Sequence, residues 1–110
     1  MTADGQITDN TSASRLELRA GDRLAELLYR RHGGRLVLIH TGVPPELEGR
    51  GLGGALVPAA VDRAARDGLT VVPLCPFARL WLERHPEVAG SATMDWGQEG
   101  RGDPSAGAPG

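Results

Sequence analysis

The segment 49–54 (GRGLGG) has the residue types and spacing best suited to chemistry. Four glycines in six residues leave few Cβ atoms, so backbone N–H groups can turn toward a bound oxyanion. The alanine-rich helical pattern that follows adds the unpaired N–H groups and positive dipole of a helix start. Arg50 adds a charge with a planar fork suited to phosphate. The segment predicts a phosphate-binding loop; the alternative is a flexible glycine turn, with Arg50 in an exposed ion pair with Glu46 or Glu48.

Cys75 and His40 are the candidate catalytic side chains. A cysteine becomes a nucleophile when a helix N-terminus or a cation lowers its pKa, and Pro76 predicts a helix that begins next to Cys75. Cys75 could equally line a channel or be a small buried apolar residue. His40 could act as a base, hold a water molecule, or simply end a strand. His85 is expected to cap a helix, and the spacing of the three residues is not that of a zinc site, so no metal is expected.

Hydrophobic periodicity predicts a β-β-β-loop-α-β-α order. The predicted strands are 15–19, 23–31, 35–41 and 69–75, and the predicted helices are 51–66 and 76–85. Segment 23–31 also has leucines at helical spacing, although its flanking turns favour a strand. The continuous apolar run 35–41 predicts a central strand buried on both faces.

Three residues qualify this assignment. Pro58 inside a helix costs about 3 kcal/mol, so either the first turns are distorted or the helix begins later than Gly51. Pro73 predicts a strand that lies at an edge or diverges from its neighbour. Gly68 is well placed to end the first helix. Phe77 and Trp81 lie on one side of the second helix and are expected to cover the sheet.

Composition bounds the protein class. The 110 residues predict one domain over 14–89, a disordered N-terminus over 1–13 and a flexible tail over 90–110. A net charge of −2, with every basic side chain an arginine, gives no general reason to expect nucleic acid. One cysteine excludes an internal disulfide. Without a signal pattern or an apolar run of ~20 residues, a cytoplasmic protein without a membrane partner is expected.

The glycine segment also matches the dinucleotide pattern G-x-G-x-x-G, but its context differs. The preceding strand ends near Thr41, about eight residues too early, and no acidic residue closes the next strand to hold a ribose. A P-loop is excluded because no Gly-Lys-Ser/Thr follows.

Motif A of the GCN5-related N-acetyltransferases (the GNAT family) resembles two runs of this chain, 43–45 (VPP) and 49–56 (GRGLGGAL). The runs 40–44, 72–77 and 84–86 resemble the very small stand-alone members of that family. The resemblance implies a minimal GNAT fold of the α/β (α+β) class, with a mostly antiparallel mixed sheet, one β-α-β crossover and a following helix. It also implies a strand at 23–31 and acetyl-CoA as the cofactor.

The resemblance assigns roles to individual positions. Backbone groups near His40 would pair with the pantetheine arm, the glycine segment would face the pyrophosphate, and Cys75 would lie on the diverging strand near the acetyl group. The implied cofactor-binding residues are Thr41, Val43, Arg50, Gly51, Leu52, Gly53, Gly54 and Ala78. Two positions depart from the family pattern. Glu48 replaces the usual Gln or Arg, and Leu82 stands where the family has a Tyr that protonates the leaving thiolate.

The sequence therefore predicts an acetyl-CoA-dependent N-acetyltransferase that moves an acetyl group to an amine acceptor within a ternary complex. The chain is too short for the N-terminal helices that usually form an acceptor pocket. The alternatives are a non-catalytic acyl-CoA-binding or regulatory module on the same fold, and a small interaction domain without a nucleotide.

Overall fold

A computed structural model describes residues 7–97 of the chain. Its six strands are β1 (Ile7–Asn10), β2 (Arg15–Ala20), β3 (Arg23–His32), β4 (Arg35–Gly42), β5 (Thr70–Pro73) and β6 (Thr93–Met94). Its helices are α1 (Leu52–Asp67), α2 (Pro76–Arg84) and the short α3 (Pro86–Ala89), and a 3-10 turn spans Pro45–Leu47. Segment 23–31 is therefore a strand, as expected.

The strands form one mixed sheet in the order β1-β2-β3-β4-β5-β6. The first four strands are antiparallel, whereas β4, β5 and β6 are parallel. Both parallel connections cross the sheet in the same direction, so right-handed crossovers place α1 and α2 on the same face. Helix α1 contacts β2 to β5, and α2 contacts β4, β5 and α1. This confirms the predicted mixed sheet with a β-α-β crossover and a following helix.

The core lies between these helices and one face of the sheet. Strand residues at alternate positions point into it, including Leu16 and Leu18 of β2 and Leu36 and Leu38 of β4. Each fully buried leucine contributes about 1.5–3 kcal/mol. The prediction that β4 is buried on both faces is wrong, because no helix within residues 7–97 covers the second face and Ile39 is 39% exposed there.

The sheet extends beyond the predicted domain limits at both ends. Strand β1 forms within 1–13, where no structure was expected, and β6 forms within 90–110. Tertiary contacts hold β1, because the Tyr29 hydroxyl donates to Asp9 Oδ1 at 2.5 Å and Arg63 also binds Asp9. Residues 1–6 and 98–110 lie outside the described residues. No helix within 7–97 is long and apolar enough to cross a membrane.

Helix α1 begins at Leu52, one residue after Gly51, and includes Pro58. Pro58 has no N–H to donate to the carbonyl of Gly54, which lies one turn earlier. The helix ends at Gly68, as predicted. Gly68 has φ +69° and donates its N–H to the carbonyls of the last turn.

Candidate functional site

Strands β4 and β5 separate at the site. Their pairing ends at Leu38 and Pro73. The N–H groups of Leu74 and Cys75 then both donate to the Leu38 carbonyl, at 3.0 and 2.9 Å. Pro73 therefore marks the predicted divergence, although β5 is not an edge strand because β6 pairs with its other side. Beyond Leu38, no strand of the described residues pairs with β4 on the β5 side.

A β-bulge lies at the same point on the other side of β4. Tyr29 of β3 pairs with Leu38, and the residue before it, Leu28, pairs with His40. Ile39, which lies between Leu38 and His40, therefore has no partner on β3. A bulge bends a strand and redirects the side chains that follow it. Both neighbours of β4 thus change their pairing within one residue, immediately before His40.

The N-terminus of α1 faces this opening with unpaired backbone donors. Gly51 caps the helix at φ +77° and ψ 19°, and no side chain caps it. The first N–H of the α-helical ladder is that of Ala55, which donates to the Gly51 carbonyl at 3.1 Å. The N–H groups of Leu52, Gly53 and Gly54 precede it and have no intrahelical acceptor. With no acidic residue in the first turn, this end of the helix is suited to an anion.

A cavity of about 520 Å³ joins these features. It is lined by His40, Thr41, Gly42, Val43, Leu47, Glu48, Gly49, Gly51, Leu52, Gly53, Gly54 and Phe77. Seven of the ten sequence-predicted site residues are among them. Arg50, Cys75 and Ala78 are not. Gly49, which also lines the cavity, belongs to the predicted glycine segment, whereas Gly42, Leu47 and Phe77 carry no sequence signal for the site, and Glu48 is predicted only as a departure from the family pattern.

The charges around the cavity differ from the sequence expectation. Arg50 is exposed and forms no ion pair within the described chain. Glu46 pairs with Arg23 Nη2 at 2.6 Å, so the alternative ion pair of Arg50 with Glu46 or Glu48 does not form. Glu48 is the one acidic or arginine side chain among the residues that line the cavity. Because no arginine is among the lining residues, the positive helix end of α1 is the feature of this lining that suits an anion.

Cys75 lies behind the cavity wall. It is 2% exposed, and its Sγ lies 3.3 Å from Oγ1 of Thr41, which does line the cavity. Cys75 precedes α2 without capping it through its side chain. Ala78 and Leu82 are fully buried on the inner side of α2. Leu82, the position that the resemblance compares with the family's tyrosine, is therefore an apolar core residue.

Aromatic rings of α2 pack against the glycines of α1. A Cβ on Gly53 would lie 2.8 Å from ring atoms Cε2 and Cζ of Phe77, and one on Gly54 would lie 3.0 Å from Trp81 Nε1. Trp81 stacks on His85 at 3.8 Å, and His85 Nδ1 caps α2 through the Trp81 carbonyl at 2.7 Å, as predicted. Phe77 is 44% exposed and lines the cavity, so its assignment to the core is wrong.

Comparison with known proteins defines the class. Residues 15–91 match the family model for GCN5-related N-acetyl-transferases. The chain belongs to this family, and the match supports N-acetyltransferase activity.

A similar solved structure agrees with this fold. It is the solution structure of a GCN5-like protein from Staphylococcus aureus that carries a provisional N-acetyltransferase assignment. The two chains are 24% identical, and the similarity covers 91% of this chain and 100% of the other with a TM-score of 0.65. No curated protein matches the chain.

Proposed function

We propose that the protein transfers the acetyl group of acetyl-CoA to a primary amine. One observation carries the proposal. The unpaired N–H groups at the start of α1 face a cavity at the point where β4 and β5 separate. A diphosphate needs several donors and a positive helix end, which this glycine segment offers without side chains in the way. The cavity volume of about 520 Å³ is within the usual range for small-molecule sites.

The unpaired edge of β4 suits the pantetheine arm of the coenzyme. Pantetheine contains two amide groups, and an extended amide chain can pair with an exposed strand edge as an added strand would. Thr41 and Val43 follow the end of the β4–β5 pairing and line the cavity. An arm bound along them would lie between the diphosphate at α1 and the gap beside Cys75. Arg50, which is exposed and lies between the lining residues Gly49 and Gly51, would contact a phosphate of the coenzyme.

His40 is our proposed base. Bound acetyl-CoA supplies an activated acyl thioester, and the protein must deliver a neutral amine to it. His40 is exposed, lines the cavity and follows the bulge. Its imidazole can therefore take a proton from an incoming amine. Direct attack of the amine on the thioester within a ternary complex is favoured, because the buried Cys75 thiol is not among the residues that line the cavity.

Thr41 is the one hydroxyl among the described residues that line the cavity, and it is held by Cys75 Sγ. We infer that its O–H stabilises charge on the departing sulfur. Leu82 has no group that could protonate the departing sulfur. The apolar side chain at this position favours the second candidate function, an acyl-CoA-binding module without turnover.

Two measurements test the proposal. Calorimetric titration with acetyl-CoA and with desulfo-CoA should show binding of both, because the diphosphate and pantetheine provide most of the contacts. Release of free thiol in the presence of primary amines should then show turnover. Binding without thiol release would favour the non-catalytic module, and absence of binding would refute both functions.

A further inference from the structure

The uncovered face of the sheet carries a gap in its side chains at the end of β4. Glu26 of β3 faces Gly42, and Leu28 faces His40, so these four positions share that face. A Cβ on Gly42 would lie 3.6 Å from His40 Nε2 and 3.8 Å from Glu26 Oε2. The missing side chain leaves a space between an imidazole nitrogen and a carboxylate oxygen. We call the space flanked by Glu26, His40 and Gly42 the Gly42 notch; His40 and Gly42 also line the cavity.

The carboxylate of Glu26 is oriented toward this notch. Arg15 Nη1 donates to Glu26 Oε1 at 3.1 Å, and Arg15 Nε donates to Glu17 Oε2 at 2.5 Å. Glu26 Oε2 accepts no hydrogen bond from any of residues 7–97, and it is the oxygen that faces Gly42. Arg15 therefore fixes one oxygen of Glu26 and leaves the other available. An ammonium group in the notch would form a charge-assisted hydrogen bond to that oxygen.

We propose that the acceptor enters through the Gly42 notch and is a small primary aliphatic amine that arrives as its ammonium form. This inference rests on the proposed function. Glu26 Oε2 accepts a hydrogen bond from the ammonium group, and His40 Nε2 takes one of its protons. Glu48 also lines the cavity, and Arg15 pairs with Glu26. Glu26 thus selects the acceptor.

The transfer balances with these groups. The ammonium loses one proton to His40, and the amine nitrogen forms a bond to the thioester carbonyl carbon. The carbon–sulfur bond then breaks as the nitrogen loses its second proton. The departing thiolate takes up one proton, so that an amide and a free thiol leave the site. No oxidant, reductant or metal is required.

The experiment uses n-propylamine as the acceptor probe with acetyl-CoA, and it measures thiol release. Glu26→Gln should raise KM for propylamine about tenfold, the effect of losing one charge-assisted hydrogen bond, with kcat changed less. Glu17→Gln is the matched control. Glu17 faces Glu26 in the β2–β3 register and shares Arg15, but it is one strand farther from the notch, so KM should stay within about twofold.

Gly42→Ala tests the notch itself. Gly42 does not have a positive φ, and an added methyl would make ordinary contacts of 3.6–3.8 Å, so the variant should fold normally. The methyl fills the notch, so kcat/KM for propylamine should fall at least about tenfold. The calorimetric Kd for acetyl-CoA should stay within about twofold in Glu26→Gln and Glu17→Gln, because neither glutamate is among the residues that line the cavity. Gly42 does line it, so Gly42→Ala is assayed at saturating acetyl-CoA.

The outcomes separate the two proposals. Equal KM values for Glu26→Gln and Glu17→Gln, or wild-type turnover by Gly42→Ala, would overturn the notch while acetyl-CoA binding still supported the proposed function. A wild-type protein that binds acetyl-CoA but does not acetylate propylamine would overturn the notch alone. Failure to bind acetyl-CoA would overturn both.

Discussion

Replacing Gly53 with alanine should weaken coenzyme binding without unfolding the protein. The new Cβ would lie 2.8 Å from two ring atoms of Phe77, whereas carbon atoms normally pack at about 3.5–4.0 Å. The ring must therefore move by about 0.7–1.2 Å. Because Phe77 is 44% exposed and lines the cavity, it can move at little cost to the core, but it then occupies space that the coenzyme needs.

The expected magnitudes follow from this geometry. Alanine in place of a helical glycine gains about 0.5–1 kcal/mol, which offsets the cost of moving the ring, so the free energy of unfolding should change by less than about 1 kcal/mol. The Kd for acetyl-CoA should rise about tenfold, which corresponds to about 1.4 kcal/mol. Calorimetry measures the affinity, and urea unfolding measures the stability.

A double mutant identifies the cause. Phe77→Ala removes the ring that Gly53→Ala displaces. If the displaced ring is the cause, Gly53→Ala should therefore reduce the affinity much less in the Phe77→Ala background than in the wild type. A coupling energy near zero would show that the methyl group obstructs the coenzyme directly. A folded Gly53→Ala protein with undiminished affinity would refute the placement of the coenzyme at this helix end.

Three further predictions concern charge, the thiol and pH. Glu48→Gln should lower the Kd for acetyl-CoA about threefold by removing a carboxylate near the diphosphate, and Arg50→Ala should raise it about threefold. Calorimetry at low and high salt measures both changes; a higher Kd for Glu48→Gln or a lower Kd for Arg50→Ala would contradict the assignment. Cys75→Ala should keep most of the thiol-release rate while losing about 1 kcal/mol of unfolding free energy, and complete loss of turnover in a folded variant would indicate a covalent route. The hydrogen bond from Arg63 lowers the pKa of Asp67, so the stability that this pair provides is present above about pH 4 and is lost as the pH falls through the lowered pKa of the folded state. Asp67→Asn should therefore reduce the fall of the melting temperature at acid pH, measured in thermal melts.

The sequence was informative where local chemistry determines structure. Gly68 ends a helix because the left-handed conformation closes it there, and Pro73 stands where the pairing of β5 with β4 ends, since proline is poorly tolerated inside a sheet. The glycines at 51, 53 and 54 indicated the cavity through their local chemistry, since few residues other than glycine fit close to a bound anion.

The features that were missed depend on tertiary contacts. Strand β1 has a polar sequence and is held by the bonds of Asp9 to Tyr29 and Arg63, which no local pattern shows. The apolar run 35–41 contains no signal for the bulge at Ile39. Phe77 shares the apolar helical spacing of core residues, although two adjacent glycines at the start of α1 are the expected counterpart of a large ring packed against them.

The bulge and the divergence have a joint consequence for this small domain. A strand edge left unpaired inside a protein is a liability, since its backbone groups need partners. Here the pairing of β4 with β5 ends at Leu38, and the register of β4 with β3 shifts at Ile39. Both changes lie beside unpaired amides of α1. A ligand that carried both amides and a diphosphate would satisfy the two sets of backbone groups together. We therefore infer that the glycine segment and the open strand edge form one site, and that a ligand satisfying only one of them would bind weakly.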